Sequence, residues 1–110
     1  GQVRVMGGAV ARVPSDASAF AHRGRRMMVN VAAMFENAAE RAQHQAWVDE
    51  TVARLRGDHG GAYVGFMGAE GGARVREAYP GDTWTRLARI KKRYDPDNLF
   101  RLNQNIVPAQ

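Results

Sequence analysis

Few side chains here are of a type that does chemistry, and most of those are scattered. The three histidines, His22, His44 and His59, include no pair at the HxxxH or HExxH spacing that sets two imidazoles on one helical face. A metal site is therefore not expected. Asp95 and Asp97 flank Pro96, which reads as turn chemistry rather than as a carboxylate pair for acid–base work. The glycine clusters at 57–61 and 68–72 are not a GxGxxG following a strand. The second precedes a predicted helix, whose N-terminus could attract an anion, but ordinary loop glycines are the better reading. Asn103, Gln104 and Asn105 are more informative. Three consecutive amides between apolar residues must be hydrogen-bonded if they are buried.

The elements that would position these residues read as a coarse α+β layout. Residues 2–6 alternate polar and apolar like a half-buried strand. Gly7 and Gly8 allow a bend or bulge, and residues 9–13 can resume the strand. Pro14, Ser15 and Asp16 form a turn or a short helix start. The apolar run 26–35 is long enough for a strand buried on both sides, and its valines favour strand over helix. A long helix is predicted over 37–56, with Ala42, Ala46, Val48, Val52, Ala53 and Leu55 on one broad arc and Trp47 outside it. Gly57 serves as its C-cap, and 58–61 as the loop. Residues 62–67 read as a central strand and 70–79 as a short helix, broken by Pro80 and Gly81.

The last helix is the most strongly specified. Asp82 is placed as its N-cap, and Trp84, Leu87, Ala88 and Lys91 share one face at i, i+3, i+4, i+7 spacing. Lys91, Lys92 and Arg93 suit the negative end of the dipole, and Asp95 before Pro96 ends the helix. Leu99, Phe100, Leu102 and Ile106 are predicted as apolar anchors of a docked tail.

Composition bounds the class. The 110 residues are 45% hydrophobic and 25% charged, as in an ordinary single globular domain with a modest core. The absence of cysteine excludes disulfides and thiolate ligands. With no signal-peptide pattern it points to the cytoplasm, and no apolar run is long enough to span a membrane. The chain begins at Gly1, which reads as an expression scar, a processed product or a piece of something longer. The net charge is +5, concentrated in His22, Arg23, Arg25 and Arg26 and in Lys91, Lys92 and Arg93. No aromatics interleave with these clusters, so nucleic-acid binding is not expected. Three helices and about three strands do not close easily into one sheet, and a sheet this small is marginal by itself. Its strands read as edge pieces with partners elsewhere, in a longer protein or in a second copy.

Three stretches together resemble the berberine-bridge-enzyme-like, FAD-linked oxidases. Residues 7–23 resemble the end of the substrate-domain sheet in bacterial members. Tyr63, Val64, Gly65, Phe66, Met67 and Gly68 match a strand usually written Tyr-x-Asn-Tyr/Phe. The tail from Tyr79 to Pro108 matches the family's closing helix and return. The resemblance implies the C-terminal (BBE) part of a two-domain flavoenzyme fold, a small antiparallel sheet packed by about three helices. The family's FAD domain lies upstream, often with covalent links to a histidine and a cysteine. Members oxidise alcohols, sugars or amines, with the flavin carrying the redox step.

In several members a tyrosine on the Tyr-x-Asn-Tyr strand helps deprotonate the substrate. Here Tyr63 keeps its hydroxyl, whereas Phe66 has none and Gly65 stands where many members have asparagine, which leaves Tyr63 as the catalytic candidate. Asn103 and Gln104, on the return toward the flavin domain, are the cofactor-contact candidates, with a purely structural role equally open. With no FAD domain present, the chain alone is expected neither to hold FAD nor to catalyse. Its expected partner is a separate FAD-binding domain or a second copy of itself. A free-standing, flavin-less dimeric binding or scaffold module is the alternative.

Overall fold

The computed structural model describes residues 1–56 and 60–110. In chain order the elements are β1 (Gln2–Val5), α1 (Ala9–Arg12), β2 (Met27–Asn30), a 3-10 turn (Ala38–Glu40), α2 (Arg41–Arg56), a second 3-10 turn (Val64–Phe66), α3 (Gly72–Ala78) and α4 (Asp82–Tyr94). The class is α+β, with a two-stranded antiparallel sheet and four α-helices among the described residues. The predicted Gly57 cap and residues 58 and 59 of the predicted 58–61 loop lie outside those residues. No described helix is long and apolar enough to cross a membrane. The chain forms two compact units, one of Gly1–Val5 with Arg26–Gly60 and one of Met6–Arg25 with Gly61–Gln110.

In the first unit β1 and β2 pair with Val3 opposite Val29 and Val5 opposite Met27. Directly opposed residues share a face, so these four line one side of the ribbon, and all four are exposed. The predicted strand 26–35, buried on both sides, thus shortens to Met27–Asn30 with no buried residue. The helix predicted over 37–56 is present. Asn37 caps its 3-10 start, its side-chain oxygen accepting from Ala39 N at 3.0 Å and Glu40 N at 3.3 Å. The Asn37 side-chain amide also donates to Glu40 Oε1 at 2.7 Å, which holds the capping side chain in place. The broad apolar arc of α2 narrows to a half-buried stripe of His44, Val48 and Val52, while Ala42, Ala46, Ala53 and Leu55 are exposed. Three of those four are alanines, which contribute little apolar surface to either side. Trp47 is exposed, as its position off the arc implies.

In the second unit the core is Val75 and Ala78 from α3 with Ala88 from α4, joined by buried Thr83. The face predicted for α4 is the one turned inward: Trp84, Leu87 and Lys91 are half-buried beside Ala88. Its N-cap is Gly81, at φ 57°, not Asp82, which is the first helical residue and makes no capping bond. A residue at that left-handed φ is best a glycine, and Asp82 still meets the dipole from the first turn. Similarly, α3 starts at Gly72 behind Gly71 at φ 86°, two residues later than Glu70. Glu70 remains outside, accepting from Gly68 N at 3.2 Å and Arg74 Nε at 3.1 Å.

Two predicted strands are absent. Residues 9–13 instead begin with the single helical turn α1, with Val10 N bonded to Gly7 O at 3.2 Å. Residues 62–67 contain a 3-10 turn, closed by Phe66 N to Tyr63 O at 2.9 Å and Met67 N to Val64 O at 3.2 Å. A strand exists only where a neighbour takes its backbone groups, and no described strand of this unit is available to do so. Local i→i+3 bonds satisfy the backbone instead. The tail also departs from expectation: Leu99, Phe100 and Leu102 are 73%, 82% and 85% exposed, and of the four predicted anchors only Ile106 is half-buried. The tail docks through its end, where Ala109 N donates to Ala88 O at 3.1 Å.

Candidate functional site

Tyr63 opens the 3-10 turn of the second unit and stays 40% exposed. Its ring meets Phe20 edge-on at 5.7 Å between centroids and Phe66 edge-on at 5.3 Å, the T-shaped geometry that aromatic quadrupoles favour. Phe66, which cannot exchange a proton, therefore works as a wall for Tyr63. The Arg23 guanidinium lies 5.4 Å from the Phe20 centroid and donates to Ser18 Oγ at 2.9 Å. Next to it, His22 Nε2 bonds the Glu77 carbonyl at 3.0 Å, so this nitrogen carries the proton and the histidine is a structural donor. This bond ties the 20–23 loop to α3. Tyr79, half-buried against Trp84 at 6.5 Å, has its phenol pushed above the ordinary tyrosine range. Burial is the main cause, and the charge Tyr63 would carry when ionised adds to it.

The amide triplet divides into three roles. Asn103 is exposed in the left-handed region at φ 59°, and its carbonyl accepts from Asn105 N at 3.1 Å. Gln104 Nε2 donates to Met67 O at 2.8 Å and more weakly to Gly68 O at 3.4 Å, bracing the Tyr63 turn from the return segment. Asn105 Oδ1 is buried without a hydrogen-bond partner.

The sequence reading missed a second function of Asp95. This buried carboxylate accepts from Leu99 N at 2.8 Å and Phe100 N at 3.1 Å, and from Lys91 Nζ. Lys91 also donates to Phe100 O at 2.6 Å. The Lys91 hydrogen bond is the main cause holding the Asp95 carboxyl below the usual range, assisted by the two amides and opposed by burial. An Asp before Pro, followed by Asn98 at φ 51°, is the turn signal that could have revealed it.

His44 sits in the first unit, stacked 6.3 Å from Phe35 and 3.9 Å from Glu40. Among the described residues no group of three or more His, Asp or Glu is placed to hold a metal. Asp97 is exposed, and Asp95 is engaged in its turn.

The stretch that carries Tyr63, α3, α4 and the return, residues 62–107, matches the family model described as "Berberine and berberine like". This stretch is similar to the berberine-like segment of FAD-linked oxidoreductases. The likeness extends beyond them. Over 110 aligned residues, covering 97% of this chain, it is 31% identical to an uncharacterized FAD-linked oxidoreductase of Bacillus subtilis (strain 168). A second such protein of the same organism is 31% identical over 104 residues and 94% of the chain. The FAD-linked oxidoreductase aurO of Gibberella zeae is 36% identical over 95 residues and 84% of the chain. The chain spans 24%, 23% and 18% of those three relatives, respectively. FAD is thus the cofactor of the family. In this chain the Gln104 NH₂ is shared between two backbone carbonyls, and Asn103 is open to solvent.

Proposed function

We propose that this chain is the C-terminal, substrate-side segment of a berberine-bridge-like FAD-dependent oxidase or dehydrogenase, and that it closes the active site over a flavin held by another domain. The observation that carries this reading is Tyr63. In the stretch matched to the family, the residue is 40% exposed while its ring meets Phe20 and Phe66 edge-on. A phenol both donates and accepts, so Tyr63 binds and orients a hydroxyl or amine of the substrate and, as its phenolate, takes up the substrate's proton to become the phenol. Leu99, Phe100 and Leu102, exposed in the same stretch, offer the apolar surface expected of a contact with the missing FAD-binding domain. Gln104 acts as a brace for the Tyr63 turn, and Asn103 remains free to face the cofactor domain.

The test is turnover of a panel of alcohols, sugars and amines by the flavin-containing protein that carries this chain. Tyr63→Phe is expected to lower kcat by about 10²- to 10⁴-fold, the usual contribution of general acid–base catalysis, with flavin content unchanged. An unchanged kcat refutes the role of Tyr63. Purification of the complete protein without flavin refutes the oxidase reading and favours a flavin-less binding module.

A further inference from the structure

The Tyr63 ring folds back across its own turn and lies over Gly65. A β-carbon built at residue 65 would stand 2.9 Å from Tyr63 Cε1, 3.2 Å from Cζ and 3.3 Å from the hydroxyl oxygen. Carbon atoms attract at about 3.5–4.0 Å, so the ring and a side chain at 65 cannot both occupy this space. The backbone does not explain the glycine, since Gly65 is not among the residues with positive φ. Gly68, three residues on in the same segment, would bring its β-carbon within 4 Å of nothing. The need for glycine at 65 is therefore specific to the neighbouring phenol.

Phe20 and Phe66 stand edge-on to the same ring, so the ring is bounded by two aromatic walls and a floor. We infer that Gly65 is a positioning residue: its missing side chain is the floor that sets where the Tyr63 hydroxyl stands. The inference rests on the proposed role of Tyr63 for its consequence in catalysis, but the geometry is independent of that role. Any residue larger than glycine displaces the hydroxyl, and the clash falls on the far end of a side chain, so the ring moves and the fold survives.

The experiment compares Gly65→Ala with Gly68→Ala in the 110-residue chain by NMR, reading through-space contacts of the Tyr63 ring with Phe20 and Phe66. Gly65→Ala is expected to lose or rearrange these contacts and Gly68→Ala to keep them. Wild-type contacts in Gly65→Ala overturn the inference. Should Gly65→Ala unfold, Tyr63→Ala supplies the second background. A cost of Gly65→Ala that vanishes once the ring is removed supports the inference, and an equal cost in both backgrounds overturns it. In the flavin-containing protein, a displaced Tyr63 hydroxyl is expected to lower kcat on the order of 10²-fold, the penalty of a misplacement near 1 Å, with flavin content unchanged. A displaced ring with unchanged kcat leaves Gly65 as the positioning residue and refutes the catalytic role of Tyr63.

Discussion

Gln104 can be removed in two ways that separate a brace from a cofactor ligand. Gln104→Ala deletes the bond to Met67 O at 2.8 Å and the weaker one to Gly68 O at 3.4 Å. A neutral hydrogen bond contributes about 0.5–1.5 kcal/mol net. The Gly68 arm is long and exposed, so the sum stays near about 1 kcal/mol. For a domain of this size that lowers Tm by roughly 4–8 °C. Gln104→Glu is worse at neutral pH, because it presents a carboxylate to two carbonyl oxygens. Those carbonyls raise the pKa of the new carboxyl above its unfolded value of about 4.3. The extra penalty is therefore absent below about pH 4.3 and grows as pH rises through the folded value. Thermal melts followed by circular dichroism from pH 4 to 7, each compared with wild type at the same pH, read both effects. The brace is refuted if Gln104→Ala melts with wild type, or if the Gln104→Glu deficit is the same at pH 4 and 7.

Two further outcomes follow from titrating groups. Asp95 has its carboxyl lowered by Lys91 and by the Leu99 and Phe100 amides, so its stabilisation is present above the ordinary carboxylate pKa of about 3.9 and is lost as pH falls through the folded value. Asp95→Asn is expected to be less stable than wild type at neutral pH and to lose less on acidification; denaturant midpoints across pH check this, and parallel profiles count against it. Tyr79 is raised by burial and by Tyr63, so alkaline absorbance titration of the three tyrosines should show a late component that Tyr79→Phe removes. If the late component survives in Tyr79→Phe, the assignment is wrong.

What was legible in the sequence was local. The α4 face needed only its own spacing, and so did the existence of α2. The end of α4 at Asp95 could be read because proline restricts the residue before it. The strands at 9–13 and 62–67 were misread because a strand is a property of two segments. A short apolar segment without a partner closes on itself, and Gly7, Gly8 and Gly65 make that easy. Counting apolar residues also misplaced Leu99 and Phe100. Their backbone amides are held by Asp95 while their side chains remain outside, and no periodicity reports which part of a residue is anchored. Family resemblance made Tyr63 a candidate, but the ring that lies against Gly65 belongs to a residue two positions away that sequence spacing alone could not orient.

The tail and the Tyr63 turn are consequently one mechanical system. Asp95 and Lys91 fix where the chain leaves α4, Ala109 returns it to Ala88, and between these two fastenings Gln104 reaches the Met67 carbonyl. Met67 N is bonded to Val64 O and Phe66 N to Tyr63 O, so the brace acts on the turn that carries the phenol. A weakened tail would therefore shift the position of Tyr63 without touching it. The exposed Leu99, Phe100 and Leu102 lie on this same segment, and a partner domain seated on them would stiffen the brace as it docks. On the proposed reading, docking and the placement of the Tyr63 hydroxyl would then be coupled through Gln104.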